Sequence, residues 1–235
     1  MLAVVSSHAP IGMEGELISV EVDIRRGLPG IDVVGLPDGA VRESKDRVRV
    51  AIRNSGFTFP ADRILVSLAP AGVRKEGASF DLPIALGILA ASGQISPDGS
   101  GCAMVLGELN LGGGVRAVHG VLSAVGKGLD AGISRFLVPR ENLREALALG
   151  KGAVAGITSL REAALAFSDP GIGAAAPPAE GCACRSADDT FDSQTQGNLS
   201  DIRGHAQLKR ALEIAAAGRH HLLLFGPPGS GKSES

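Results

Sequence analysis

A phosphate-binding loop near the end of the chain is the most specific chemical motif in the sequence. Residues 226–233 read Gly-Pro-Pro-Gly-Ser-Gly-Lys-Ser and match the pattern G-x-x-x-x-G-K-[ST]. The glycines let successive backbone N–H groups face a phosphate, Lys232 would reach the β- and γ-phosphates, and the hydroxyl of Ser233 would bind Mg²⁺. The sequence therefore predicts a site for ATP with Mg²⁺. Its residues are Gly226, Pro227, Pro228, Gly229, Ser230, Gly231, Lys232 and Ser233.

The residues before this loop fit the context that a phosphate-binding loop requires. The apolar run at 221–225 predicts a buried strand, and 206–217 predicts a helix that ends at Gly218. Only Glu234 and Ser235 follow the loop, so we expect a truncated ATPase domain whose loop is mobile or loosely attached. The Walker B acid, the sensor residues and the arginine finger that hydrolysis needs are not found. We therefore expect no catalytic residue in this chain and no ATP turnover by it.

Residues 1–168 predict one α/β (α+β) domain with an aliphatic core. The sequence has no Trp or Tyr and seven Phe, whereas 44% of its residues are hydrophobic. Strict alternation at 16–24 predicts a half-buried strand with Ile18, Val20 and Val22 on its inner face. Further strands are expected at 2–7, 31–34, 63–69, 104–106, 109–111, 135–138 and 154–157, and helices at 38–54 with Asp38 as the cap, 81–91, 120–131, 141–148 and 160–167.

The composition changes after this domain. Residues 169–200 are rich in Pro, Gly, Ala, Ser and Asp and offer almost nothing to bury, which predicts a flexible linker. Residues 201–235 then form the start of a second domain. Cys182 and Cys184 lie in the linker without a matching Cys or His pair, so we expect no metal site there.

Charge and cysteine content limit the class of protein. The formal net charge of −2 argues against a dedicated nucleic-acid module with a basic body, although it leaves DNA contact by an assembled ring open. Three cysteines do not form a disulfide framework, which favours the cytoplasm. We expect no signal peptide and no membrane association, because no apolar run approaches the ~20 residues that span a bilayer.

A row of basic residues follows one side of the helix predicted at 38–54. Arg42, Lys45, Arg49 and Arg53 are spaced so that they share a helix face. The row is either a solvated helix face or a contact to the DNA backbone, and both interpretations stay open.

Longer segments resemble a known family. Residues 203–233, RGHAQLKRALEIAAAGRHHLLLFGPPGSGKS, resemble the start of the AAA+ module of the Mg-chelatase-like ATPases. Residues 12–57, 63–89 and 106–122 resemble that family's amino-terminal domain, nearest to its bacterial competence-associated group. The resemblance implies a homo-oligomeric, hexameric motor that uses ATP and Mg²⁺ to move branched DNA during homologous recombination. The DNA partner that it implies for the full-length protein is branched or single-stranded.

The amino-terminal domain also resembles the peptidase domain of Lon proteases, which has the fold called ribosomal protein S5 domain 2-like. That peptidase needs a serine nucleophile and a lysine base. Asp81 aligns with the nucleophile, with Ser79 two residues early. The base position falls on or beside Leu122, and the nearest lysine is Lys127. We therefore expect a scaffold without proteolytic activity, in which Asp81 caps the following helix.

Three functions of the complete protein remain open at this point. A DNA motor would move a four-way junction with ATP. A Mg-chelatase-type ATPase would bind a chelatase partner subunit. A Lon-like protease is disfavoured, because the Ser–Lys dyad is missing.

Overall fold

The computed structural model describes residues 2–11, 15–96, 103–169, 174–175, 206–218 and 220–223. The chain divides into two compact units, Met1–Cys182 and Ala183–Ser235. The first unit is a mixed α/β domain. A two-residue strand at Ala174–Ala175 belongs to this unit, within the segment predicted as linker.

One large mixed sheet organises the first unit. Its strands run in the order β10-β9-β8-β5-β1-β2-β4-β3, and a separate ribbon pairs β6 with β7. The pairs β1–β5, β5–β8, β8–β9 and β3–β4 are parallel, whereas β1–β2, β2–β4 and β9–β10 are antiparallel. The strands are β1 (Leu2–Ala9), β2 (Glu16–Arg25), β3 (Gly30–Val34), β4 (Arg63–Ala69), β5 (Ala103–Val105), β6 (Glu108–Leu109), β7 (Val115–Arg116), β8 (Arg135–Pro139), β9 (Ala153–Ile157) and β10 (Ala174–Ala175).

Six helices complete the described structure, five of them in the first unit. They are α1 (Gly39–Asn54), α2 (Asp81–Ala91), α3 (Val121–Asp130), α4 (Leu143–Leu147), α5 (Leu160–Ser168) and α6 (Ala206–Gly218).

The helices cover both faces of the sheet. Helix α2 is apolar on every side, and all of its residues are buried. It contributes to the larger core cluster, to which residues of α1 and α5 also belong. Helices α3 and α4 pack on the opposite face. Side chains of β8 point alternately to the two faces of the sheet. Leu137 therefore belongs to the cluster on one face, and Phe136 and Val138 belong to the cluster on the other.

The pattern-based predictions for β2 and α1 are confirmed. Ile18, Val20 and Val22 are fully buried, and Val20 lies between Val5 of β1 and Leu68 of β4. Asp38 caps α1, since its Oδ1 accepts a hydrogen bond of 2.8 Å from the N–H of Val41.

Two predicted elements differ from the structure. The helix expected at 141–148 is a 3₁₀ turn at Arg140–Asn142 followed by the short α4, because the side chain of Asn142 is buried and bonds both backbone groups of Val118. The strand expected at 109–111 is β6, which ends at Leu109 because the chain turns and returns as β7. The sequence analysis did not predict β7.

Helix α6 represents the second unit, and none of its residues is buried. Of the helices that the structure describes, none combines the length and the apolar character needed to cross a membrane.

Candidate functional site

The phosphate-binding loop predicted at 226–233, including the Mg²⁺ ligand Ser233, lies outside the described residues. The buried strand predicted at 221–225 is wrong for its described part. Residues 221–223 have no regular secondary structure, and Leu223 is 90% exposed. A strand needs a neighbouring strand for its hydrogen bonds, and the described residues of the second unit supply only a helix.

A buried ion pair lies where the sequence places the lost nucleophile. Asp81 begins α2 and is completely buried. Arg47 of α1 holds it with two hydrogen bonds, from Nε to Oδ2 at 2.9 Å and from Nη2 to Oδ1 at 3.1 Å. The N–H of Leu109 in β6 donates a third bond to Oδ2 at 3.3 Å. The carboxylate therefore joins α1, α2 and the β6–β7 ribbon.

The expectation that Asp81 caps α2 is wrong. The cap position belongs to Phe80, which makes no side-chain cap bond. The carboxylate of Asp81 instead faces the guanidinium of Arg47, because an ion that is buried must be paired.

Burial also determines the charge state of this pair. Desolvation raises the pKa of Asp81 to about 6, although the bonds from Arg47 and Leu109 act in the opposite direction. The hydrogen bonds to Asp81 raise the pKa of Arg47. At pH 7 the pair is therefore ionised, and its attraction must offset the loss of water around both groups.

A cleft of about 470 Å³ lies between the loops that precede α2 and α3. Ser79 and His119 line it from the two sides, with the carboxylates of Asp38, Glu76 and Glu108 around them. Both carboxylate oxygens of Asp38 accept hydrogen bonds from the backbone, Oδ1 from the N–H of Val41 and Oδ2 from the N–H of Gly77. Three of the residues that line the cleft therefore carry carboxylates, among apolar neighbours such as Ala117 and Val118.

Among the described residues that line the cleft there is a serine, Ser79, but no lysine. Leu122 is 43% exposed on α3, and its N–H donates to the carboxylate of Glu145. Lys127 lies more than one turn further along α3. Within the described residues no hydrogen bond joins Ser79 to a lysine or histidine side chain, as an activated serine would require.

No metal site is formed by the residues that the structure describes: none of their His, Cys, Asp and Glu side chains gather in a group of three or more that could hold an ion.

The four basic residues predicted on α1 do share one surface, which we call the basic strip: Arg42, Lys45, Arg49 and Arg53. Arg42, Lys45 and Arg53 are exposed, and Arg49 is half-buried. The guanidinium groups of Arg49 and Arg53 lie 5.2 and 5.9 Å from the centre of the Phe59 ring. Among the described residues the strip forms no ion pair with a carboxylate, although Glu43 and Asp46 are exposed on the same helix.

Two buried or half-buried cations have contacts that no sequence motif indicated. Arg47 lies off the basic strip and pairs with Asp81, 34 positions away, for which there is no local sequence signal. Lys75 is completely buried, and its Nζ donates to the carbonyl of Pro70. Desolvation lowers the pKa of Lys75.

Comparison with known proteins defines the class of this chain. Residues 20–142, more than half of the 235, match the sequence model of the family described as subunit ChlI of Mg-chelatase. Residues 198–234 match a second model, magnesium chelatase, subunit ChlI. The chain therefore belongs to the Mg-chelatase ChlI-like family, as the sequence motifs predicted.

Within that family the chain is similar to the YifB and ComM proteins. It is 40% identical over 233 residues to "Uncharacterized protein YifB" of Escherichia coli and 39% identical over 234 residues to "Competence protein ComM" of Haemophilus influenzae. "Uncharacterized protein Rv2897c" of Mycobacterium tuberculosis is 37% identical over 227 residues. These alignments cover 97–99% of this chain but 43–45% of the relatives, so the chain spans less than half of their length.

Proposed function

We propose that this chain is part of an ATP-binding AAA+ motor that moves branched DNA as a homo-hexamer. The observation that carries the proposal is the phosphate-binding loop at 226–233, which falls within the 198–234 stretch matched to the ChlI family. In this proposal residues 1–168 are a scaffold, 169–200 a linker and 201–235 the start of the ATPase domain. The test is movement of a synthetic four-way junction by the full-length protein with ATP.

The DNA part of the proposal has two supports. One relative is named a competence protein, and competence concerns the uptake of DNA. The first unit carries the basic strip on α1, whose four cations face solvent at least in part. Cations in a row are the groups that contact a phosphate backbone.

A Mg-chelatase-type ATPase is the second candidate, because both family descriptions name that enzyme. The same ATP site would serve metal insertion into a porphyrin. Binding of the full-length protein to a chelatase partner subunit, without movement of the four-way junction, would favour this candidate over the DNA motor.

Lys232 is the residue of the loop whose loss we expect to weaken ATP binding most. Its ammonium would donate charged hydrogen bonds to the β- and γ-phosphates, each worth about 1.5–3 kcal/mol. Lys232→Ala should therefore lower the affinity for ATP roughly 10- to 100-fold, measured by titration with a fluorescent ATP analogue. Lys151→Ala, at an exposed lysine of the first unit, is the matched control and should bind like the parent. Equal affinity of both variants would contradict the ATP site.

We also propose that the first unit is a Lon-like scaffold without proteolysis. Its support is that Asp81, at the aligned nucleophile position, is buried against Arg47, while the exposed Leu122 lies at or beside the aligned base position. A serine-directed fluorophosphonate probe should leave the protein unlabelled, with Ser79→Ala as the control. Labelling that disappears in the Ser79→Ala variant would establish a reactive serine and overturn this part of the proposal.

A further inference from the structure

We propose that Arg161 of α5 extends the basic strip of α1, and that the combined surface holds the phosphate backbone of duplex DNA without stacking on its bases. This inference rests on the proposed function and names the form of DNA that the first unit contacts. It adds a residue from a second element, which the spacing of basic residues along α1 could not reveal.

The start of α5 is fixed against the end of α1. The N–H of Leu160 donates to the carbonyl of Gly113 at 2.8 Å. Gly113 itself packs so closely on α1 that a Cβ atom there would stand 2.0 Å from Oγ of Ser55. Leu160 precedes Arg161, so these contacts fix the backbone of Arg161 near the end of α1.

Arg161 emerges beside the last turn of α1. Its Nη2 lies 3.2 Å from the position that a Cβ atom on Gly56 would occupy, and Gly56 follows Arg53 by three residues. Arg161 is exposed and, within the described residues, pairs with no carboxylate. The neighbouring Glu162 is engaged elsewhere, because its carboxylate accepts bonds from the N–H and hydroxyl of Thr158 at 2.7 and 2.6 Å. Positive charge thus continues past the end of the helix.

Phe59 holds the two arginines of the strip that lie nearest to Arg161. Its ring is 9% exposed and lies beneath the guanidinium groups of Arg49 and Arg53. The Nε of Arg49 is buried without a hydrogen-bond partner, so stacking on the ring positions this group. Arginines held in place lose less conformational freedom when they bind a ligand. Phe59 is therefore a positioning residue.

The length of the surface suits a backbone contact. Arg42 and Arg53 are 11 residues apart, which corresponds to about 16 Å along a helix. One strand of B-DNA carries a phosphate roughly every 3.4 Å along its axis, so each cation can meet a different phosphate.

No phenylalanine ring is exposed for base stacking in the part of the chain that the structure describes. Among the described residues Phe59, Phe80, Phe136 and Phe167 are buried and Phe57 is half-buried. Single strands gain much of their binding from bases stacked on exposed aromatic rings. A surface that offers cations alone gains more from the duplex, whose charge density is higher.

The test is the salt dependence of DNA binding by the whole chain without nucleotide. The probes are a fluorescent 30-base-pair duplex and one of its strands, measured by anisotropy between 50 and 200 mM NaCl. Arg161→Gln should reduce the slope of log affinity against log salt by about 1, and Arg49→Gln with Arg53→Gln by about 2. Each lost contact should weaken duplex binding about five- to tenfold near 100 mM salt.

Two controls separate contact from structure. Arg144→Gln removes an exposed arginine from α4, on the opposite face of the sheet, and should leave the slope unchanged. Phe59→Leu keeps every charge, so the slope should stay the same while affinity falls about two- to fivefold.

Equal slopes for the Arg161→Gln and Arg144→Gln proteins would overturn the inference, and so would a single strand that binds as tightly as the duplex. Neither of these DNA results would bear on the proposed ATP site at Lys232, because ATP binding is measured separately and without DNA. Equal ATP affinity of the Lys232→Ala and Lys151→Ala proteins, with the salt slopes as expected, would instead contradict the ATP site and leave the DNA-binding surface standing.

Discussion

Replacing Arg47 with alanine should lower the free energy of unfolding by about 3–5 kcal/mol at pH 7, because it leaves the carboxylate of Asp81 buried without its cation. The loss should appear as a lower midpoint in urea unfolding with an unchanged slope. Arg42→Ala is the matched control on the same helix. Arg42 is exposed, so its loss should change the unfolding free energy by no more than about 0.5 kcal/mol.

The pH dependence of the Arg47→Ala protein identifies the cause of its instability. Desolvation already raises the pKa of Asp81 to about 6, and the loss of Arg47 removes groups that lower it. A carboxyl group with a raised pKa in the folded state stabilises the fold while protonated, and that contribution is lost as pH rises through the folded-state pKa. The deficit relative to the parent should therefore be larger at pH 8 than at pH 5. A deficit that stays constant between these pH values would point to lost packing of the arginine side chain instead.

A second substitution should relieve the defect. Asp81→Asn removes the charge but keeps the shape of the side chain, so the Arg47→Ala and Asp81→Asn double variant should be more stable at pH 8 than Arg47→Ala alone. Additive losses from the two substitutions would show that the two residues act independently.

The same pair marks the limit of what the sequence predicts. Helix α1 was predictable because a cap at Asp38 and a period of 3.6 residues are local signals. The strand β2 was predictable from its alternation. Arg47 and Asp81 are 34 positions apart, and only the packing of α1 on α2 brings them together. Asp81 looked like a cap because an acidic residue before Leu-Pro fits that role equally well.

The candidate site likewise combines residues with a local sequence signal and residues that only the tertiary fold brings together. The loop at 226–233 could be predicted from the sequence, because the residues of the motif are contiguous and bind the same ligand. The basic strip of α1 could also be predicted, because its four residues have the spacing of one helix face. Arg161 and Phe59 could not be assigned to it, because they come from other segments and reach α1 only through the tertiary fold.

The edge of the sheet contains the second site where we expect a large effect. Gly35 directly follows β3 and has a φ of +101°. A Cβ atom at this position would stand 2.1 Å from the carbonyl oxygen of Leu68 in β4 and 2.9 Å from its carbonyl carbon. Leu68 is held on the sheet between β2 and β3 and is completely buried, so its backbone has no room to move away.

Gly35→Ala should consequently lower the free energy of unfolding by about 3–5 kcal/mol, as a strained backbone conformation is combined with an overlap against main-chain atoms. Gly132→Ala separates the two causes. Gly132 has a similar φ of +80°, but nothing lies within 4 Å of its added Cβ, so only the conformational cost of about 1 kcal/mol applies. Urea unfolding of both variants measures the difference. Equal losses of unfolding free energy in the two variants would mean that β3 shifts away from β4 to admit the methyl group. The segment that leads from β3 to the cap at Asp38 would then be more adaptable than its contacts indicate.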